Sequence, residues 1–551
     1  MNKEFNHDKT INILIRKANK GNFYSALDLS HYYKIGRFVE KNEIESEKYL
    51  NIAYDIFKNQ KIKLEEIKIN NFRVFNEVNL NNFDQNLNIF IGNNGAGKTS
   101  LLDAIALSLS WLSISINKNG GTSDSIDEVD INNYSTTPIS SVISEIKLNK
   151  NISATLELYQ SKDGHFKTKN KLNEIKLVGG FYKIANDFNN KFNMPLLAYY
   201  NVMRSYDVNP KDLKGLDDLS ENTSSDKFDA YQKSLTGKTD FRTFIKWYKR
   251  ADDILIRNQI NNQNKTLSAL GLSEETYDLL KKLSLTDNKI KVSLDEINSI
   301  LPKESDSNTI ESLELNLKRN KKIIDSVISK FMDGYSNITI QIEPMIDLII
   351  TKNNRKISVM RLSQGEKTLL ALVLDITRRL IFLNPSLENP LEGQGIILID
   401  EFDLHLHPQW QKSITKNLVE TFPNCQFFLT THSAIVLGET KRQHVYILET
   451  NEQNEINIVR PNQSYGLTTN EILNEIMGPI NGQQIVRNDD VETKLKSIFS
   501  LINKETKSSL IKAKKLISNL EKQLNGDIPE LVKAKILLDL IEDRISDETN
   551  N

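Results

Sequence analysis

The amino-acid sequence predicts an α/β fold with an antiparallel β lobe, a parallel core sheet, a helical insertion between the two halves of the body, and flanking N- and C-terminal helical units. Three observations carry that expectation. An apolar strand pattern, LNIFIG, runs directly into the glycine-rich loop GNNGAGKTS at Gly92 to Ser100, and helical spacing follows. A second apolar run, IILI, ends in the acidic pair Asp400 and Glu401. Period-two alternation marks the segment before the first of these strands, whereas both ends of the chain and a long central stretch follow helical spacing.

From the N-terminus, Ile11 to Asn59 reads as helices, with apolar positions at Ala26, Leu29, Tyr32 and Tyr33 and again at Tyr49, Leu50, Ala53 and Ile56, separated by the turn Lys34, Ile35, Gly36. This run resembles one Sel1-type helical repeat, and a helical pair packed on the body of the protein is the rival reading. LEEIKINNFRVF and EVNL then read as antiparallel strands, and LNIFIG as the buried strand that delivers the glycine-rich loop. Leu101 to Leu112 is the helix after it, and Ala154 to Tyr159 and Glu174 to Val178 alternate like further strands. Lys211 to Lys330 is mostly helical and charged, and looks inserted. Strand signals resume at Ile338 to Ile342 and Ile346 to Ile350, before a helix opened by LSQGE at Leu362 to Glu366. Gly395 to Ile399 and Gln426 to Thr430 complete the parallel core, and after Asn470 the chain is helical, ending in a solvated polar tail. The expected division is therefore 1–60, a helical unit; 61–205, the first half of the α/β body; 206–332, the helical insertion; 333–470, the second half; and 471–551, the C-terminal helical region.

A chain of 551 residues exceeds what one hydrophobic core organises. Its apolar fraction of 39% and charged fraction of 26% are those of a globular protein. The run Ile396 to Ile399 is too short to span a bilayer and Met1 to Thr10 has no secretory apolar core, so a cytoplasmic location and no membrane partner are expected. Cys425 is the single cysteine, which excludes an internal disulfide and a thiolate zinc site. With a net charge of -1, any nucleic-acid partner must be held by a local basic patch.

The glycine-rich loop fits G-x-x-x-x-G-K-[ST]. Gly92, Gly95 and Gly97 let the backbone turn so that successive N–H groups from Asn93, Asn94, Gly95, Ala96, Gly97 and onward through Lys98, Thr99 and Ser100 point at phosphate oxygens. Lys98 reaches the β and γ phosphates of ATP, Thr99 offers its hydroxyl to Mg2+, and the helix that starts there adds its positive end. Asp400 and Glu401 stand at the carboxyl end of a buried strand, where open parallel sheets bind ligands. Asp400 is the second Mg2+ candidate and Glu401 the group that polarises the attacking water. His432, in FLTTHSA, follows another apolar strand. Arg73 and Phe75 in NFRVF are candidates to flank adenine or ribose, with ordinary strand packing as the rival. His405 and His407 are read as structural members of a turn.

Taken together, the phosphate loop, the acidic strand and LSQGE upstream of it resemble the ABC-type P-loop ATPases. That resemblance implies that Ser363 and Gly365 contact the γ phosphate held by a second copy, so that two subunits sandwich two ATP molecules. It further implies a switch role for His432 and a place at the dimer seam for Asp403, and it leaves Gln160 as a candidate Q-loop residue.

NFRVF, IGNNGAGKTSLLDAI, LSQGEK and DEFDLHLHPQWQ resemble the RecF, Rad50 and overcoming-lysogenization-defect branch of soluble ABC ATPases. The layout, including FRTFIKWYKRADD in the insertion, is most similar to the PtuA family of Septu antiviral systems and its retron-associated form. The resemblance implies an ATPase that regulates a partner HNH endonuclease (PtuB-like), with a reverse transcriptase and its RNA-linked single-stranded DNA in retron versions. The alternative is a RecF/Rad50-like DNA-repair clamp, and a third reading is a scaffold that binds ATP with little turnover. No nuclease site is legible in this chain. The basic stretches Arg242 to Arg250 and Lys318 to Lys322 are candidates for contact with single-stranded nucleic acid, with Trp247 and Tyr248 available to stack on bases. Solvated helix faces with Trp247 in the core are the rival reading.

Overall fold

Three helices open the chain, α1 (His7–Asn19), α2 (Phe23–Ile35) and α3 (Glu43–Phe57). Asn22 and Asn42 cap the second and third by accepting from the N–H groups of Ser25 and Glu45. Gly36, at φ +73°, ends the second in the left-handed conformation that a side chain would resist. The computed structural model describes residues 7–117, 124–133, 137–162, 169–206, 227–269, 308–341, 346–451, 453, 455–478, 488–524 and 526–550. The expected insertion at 206–332 thus lies partly outside the described residues, as does the end of the strand expected at Ile338 to Ile342. The chain divides into two compact units, Met1–Gly466 and Leu467–Asn551.

In the first unit, β1 (Lys63–Phe72), β2 (Phe75–Asn81), β4 (Ile139–Asn149) and β5 (Ile152–Ser161) form an antiparallel sheet in the order β2-β1-β4-β5. Its apolar alternation sets the register, with Ile67 opposite Leu80 and Ile69 opposite Val78. A second sheet runs β13-β12-β3-β11-β10-β6, with β3 (Leu87–Gly92), β6 (Leu196–Tyr200), β10 (Gly395–Ile399), β11 (Cys425–Thr430), β12 (Val445–Thr450) and β13 (Ile456–Val459). All its pairings are parallel except β12 with β13. Strands β3, β11 and β10 are buried almost throughout, which explains their unbroken apolar runs.

Helix α4 (Lys98–Ile116) touches strands of both sheets and fills the layer between them with Leu101, Leu102, Ile105, Leu109 and Leu112. It is also the one described helix long and apolar enough to cross a membrane, and more than half of its apolar window is buried here. Helix α5 occupies Asn173–Phe188. Glu174 to Val178 therefore belongs to a helix and not to the strand its alternation suggests. Ile175, Val178, Tyr182 and Ala185 are buried at helical spacing, and five alternating residues are too few to separate the two periods. On this helix Phe181 and Tyr182 receive Phe57 of α3, with ring centroids 4.9 and 4.8 Å apart.

Two long helices, α6 (Phe241–Ala269) and α7 (Asn308–Phe331), precede a three-stranded sheet of β7 (Tyr335–Gln341), β8 (Asp347–Lys352) and β9 (Arg355–Ser358). Asn353 and Asn354, at φ +46° and +62°, make the two-residue turn between β8 and β9. Helix α8 (Gln364–Leu383) follows and is buried along most of its length. Its Asp375 accepts from Arg378, from Arg379 and from the Tyr200 hydroxyl on β6 at 2.9 Å. Burial pushes the Asp375 carboxyl up, and the two arginines outweigh it, leaving it below the usual carboxylate range. Arg379 also donates to the Gln232 carbonyl at 3.1 Å, tying α8 to the segment that leads into α6. Helices α9 (Pro408–Thr421) and α10 (Ala434–Gly438) alternate with the last strands.

The second unit is helical: α11 (Thr469–Glu475), α12 (Asp489–Ile502), α13 (Lys507–Leu524) and α14 (Pro529–Asn550). Val491, Leu495, Ile498 and Ile502 pack with Ala513, Ile517, Leu520, Leu531, Ala534 and Leu538 as its core. The polar end read from the sequence as a tail lies within α14. No glycine or second proline interrupts that segment, and polarity by itself does not stop a helix.

Candidate nucleotide site

The sheet order explains how distant motifs meet. Strand β11 separates the strand of the phosphate loop from that of the acidic pair, so the segments after β3, β11, β10 and β6 emerge side by side at one rim. Residues Asn93, Asn94 and Gly95 form the exposed tip of the loop, while Ala96, Gly97 and Lys98 are buried beneath it. Gly97 sits at φ +91° and begins α4. A Cβ there would come within 2.7 Å of both Val74 and Phe75, so the loop requires glycine on steric as well as conformational grounds. Phe75 is accordingly fully buried under the loop.

Lys98 turns its ammonium back onto the loop, donating to the Gly92 carbonyl at 2.8 Å and that of Asn93 at 3.1 Å. Burial lowers its pKa, and Asp400 and Glu401 oppose the shift. The Thr99 hydroxyl donates to Asp400 Oδ2 at 2.8 Å, and Thr430 donates to the other carboxylate oxygen. A hydroxyl and a carboxylate this close are hard oxygen donors of the kind Mg2+ takes. Ser100 follows in the first turn of α4, half-buried.

Glu401 has φ +43°, a left-handed conformation that costs a residue with a side chain on the order of 1–2 kcal/mol. Its N–H donates to Thr430 Oγ1 at 2.7 Å. Its carbonyl accepts from Arg204 at 2.7 Å. Sequence reasoning missed Arg204, which has no motif of its own and acts on main-chain atoms. His432 follows β11 and is half-buried. Burial and then Lys98 lower its pKa, while Glu401, Asp403 and Asp400 oppose the shift. Lys98, Thr99, Asp400, Glu401 and His432 thus lie within one electrostatic neighbourhood.

Ser363 and Gly365 stand on a separate element. Exposed Ser363 caps α8, and its N–H donates to Glu366 Oε2 at 2.7 Å, a reciprocal capping box. Glu366 Oε1 accepts from Lys352 at 2.8 Å and from the Tyr335 hydroxyl, anchoring the start of α8 to the three-stranded sheet. Burial pushes the Glu366 carboxyl up, and Lys352, Tyr335 and Ser363 more than compensate, holding it at about 2. Gly365 is buried, and a Cβ there would stand 2.1 Å from the His405 carbonyl oxygen.

The remaining candidates divide by location. Arg73 pairs with Asp103 of α4 and, at 2.8 Å, with Asp130, while the Tyr199 hydroxyl donates to Asp103 at 2.6 Å. Gln160 lies within edge strand β5 opposite Ser140. Burial raises the Asp403 carboxyl, which the Thr431 side chain hydrogen-bonds. His407 caps α9, and no cluster of three or more His, Cys, Asp or Glu suited to a metal occurs among the described residues. Tyr248 corrects the stacking expectation: it is 2% exposed and its hydroxyl donates to the Ile338 carbonyl at 2.7 Å, so it packs in the core. Trp247 is half-buried against Phe244 and Phe382.

Residues 62–437 match the family model described as an AAA ATPase domain. The retron Vc95 probable ATPase of Vibrio cholerae serotype O1 biovar El Tor is 37% identical over 81% of this chain and 85% of its own length. The retron Ec83 probable ATPase of Escherichia coli is 34% identical over 82% and 83%. The Septu protein PtuA of Bacillus thuringiensis is 32% identical over 24% of this chain and 35% of its own. The chain belongs to the AAA ATPase domain family and, within it, to the retron-associated ATPases related to Septu PtuA.

Proposed function

We propose that this ATPase is the regulatory subunit of an antiphage defence complex, dimerising around ATP and controlling a partner HNH nuclease. A reverse transcriptase and its RNA-linked single-stranded DNA are the further components. The gathering of Lys98, Thr99, Asp400, Glu401 and His432 at one rim of the parallel sheet carries the catalytic part of this reading. Lys98 and the loop N–H groups bind the phosphates. Thr99 and Asp400 would hold Mg2+, which would neutralise charge on the β and γ phosphates. Glu401 orients and polarises the attacking water, and His432 meets the γ phosphate. Ser363 and Gly365 close the site of a second copy.

The retron and Septu names of the relatives support the defence context. Purification from the native host, with proteins and nucleic acids both identified, tests it. Recovery of an HNH protein together with RNA-linked DNA is the expected result, and recovery of replication or repair proteins instead favours a DNA-repair clamp. The purified chain is expected to hydrolyse ATP and to leave DNA and RNA intact; metal-dependent cleavage by this chain without partners contradicts the assignment.

A further inference from the structure

Arg204 lies on the short 3-10 turn Val202–Tyr206 that follows β6, and it is 1% exposed. Such burial is rare for arginine, and a buried guanidinium is ordinarily paired with a carboxylate. Here its hydrogen bonds go to three main-chain carbonyls instead. One terminal nitrogen donates to the Asn201 carbonyl at 2.9 Å and to the Asp400 carbonyl. The other donates to the Glu401 carbonyl at 2.7 Å, and Nε finds no partner among the described residues. The planar fork therefore bridges two successive peptide units, those that carry the acidic pair.

The residue between these two peptide units is also strained. Glu401 keeps its φ of +43° under three hydrogen bonds, one from its N–H to Thr430 and two to its carbonyl, from Arg204 and from the Leu404 N–H at 2.9 Å. A left-handed residue with a side chain persists only where its surroundings hold it. The backbone angles of Glu401 fix the direction of its Cα–Cβ bond, and so the aim of its carboxylate. Arg204 is itself fixed by its own turn: its N–H donates to the Asn201 carbonyl at 3.1 Å, and the Asn201 N–H donates to Gly237 at 2.8 Å. A Cβ on Gly237 would come within 2.2 Å of the Asn201 amide, so this support is closely packed.

We infer that Arg204 is a positioning residue for ATP hydrolysis: its guanidinium holds the Asp400 and Glu401 carbonyls from behind and keeps the Glu401 carboxylate aimed at the attacking water. The inference rests on the assignment of Glu401 given above. Arg204 touches neither nucleotide phosphates nor water in this role. Its loss consequently acts on turnover and not on substrate binding.

Arg204→Lys retains a cation but not the planar fork, and Arg204→Gln is a shorter neutral second variant that also cannot span both carbonyls. Steady-state kinetics, binding of a fluorescent ATP analogue and thermal melts are measured for both, alone and combined with Glu401→Gln. The expected result is a fall in kcat of about tenfold or more with KM for ATP and analogue affinity retained. In the Glu401→Gln background, where the carboxylate is already gone, the Arg204 substitutions cause no further fall. An equal fractional loss in both backgrounds overturns the inference, as does a raised KM at unchanged kcat. Slow Glu401→Gln alongside full turnover in the Arg204 variants removes the role of Arg204 and leaves that of Glu401. Wild-type turnover in Glu401→Gln removes both.

Discussion

The Thr99 hydroxyl donates to Asp400 Oδ2 at 2.8 Å, so a single hydrogen bond joins the phosphate-loop helix to the acidic strand across 301 residues of sequence. Both oxygens belong to the proposed Mg2+ site. Asp400→Asn keeps the size and a hydrogen-bonding oxygen but loses the charge. Mg2+-dependent ATP turnover is expected to fall about a hundredfold or more in this variant, measured by phosphate release across a Mg2+ titration. Unchanged turnover and Mg2+ dependence remove Asp400 from the site.

Gly365 packs closely within its own chain, because a Cβ there would meet the His405 backbone. Gly365→Ala must displace main-chain atoms and not a flexible side chain. It is expected to destabilise the first unit by about 1–3 kcal/mol, read as a lower midpoint in urea unfolding without nucleotide. An unchanged midpoint shows that the close contact with His405 is relieved at no cost.

The Glu366 carboxylate gives the start of α8 a pH signature. Its folded pKa of about 2 lies below the ordinary carboxylate value of 4.5, so its contribution is complete above 4.5 and fades as pH falls toward 2. Glu366→Gln is therefore expected to be less stable than wild type by a constant margin from neutral pH down to about 5. Below that the margin narrows. Urea midpoints of both proteins across this range decide the point, and a margin that widens toward acid contradicts the assignment.

If the insertion contacts nucleic acid, the contact runs through charge and not through Tyr248. Charge reversal at Lys246, Lys249 and Arg250 is expected to weaken single-stranded DNA binding and to flatten its salt dependence by about one unit of slope per lost phosphate contact. Tyr248→Phe removes the hydrogen bond to Ile338 and costs about 1 kcal/mol of stability without altering that slope. Affinity and slope that survive the charge reversals exclude these residues from the interface.

The sequence made the phosphate loop, the acidic strand and the parallel core legible because each is encoded by contiguous residues whose chemistry is local. Arg204 was not legible for the opposite reason: its partners are carbonyl oxygens, which every residue possesses, and only the folded chain brings them to it. The same holds for Gly365 and His405, whose contact depends on how α8 meets the turn after β10. Glu174 to Val178 shows a limit of short windows, where five residues satisfy strand and helix periods alike. Tyr248 shows that a basic, aromatic helix leaves open which face meets the core until its neighbours are known.

The composite site is tested most directly by complementation between copies. Lys98→Ala is expected to disable the phosphate loop and Ser363→Arg to fill the proposed opposite wall, so each variant separately is expected to be inactive. Mixed dimers, isolated by two different tags after co-expression, then contain one site with both lesions and one with neither, and recover roughly half of wild-type turnover for a two-fold symmetric pair. Mixed dimers as inactive as either parent contradict a site shared between subunits.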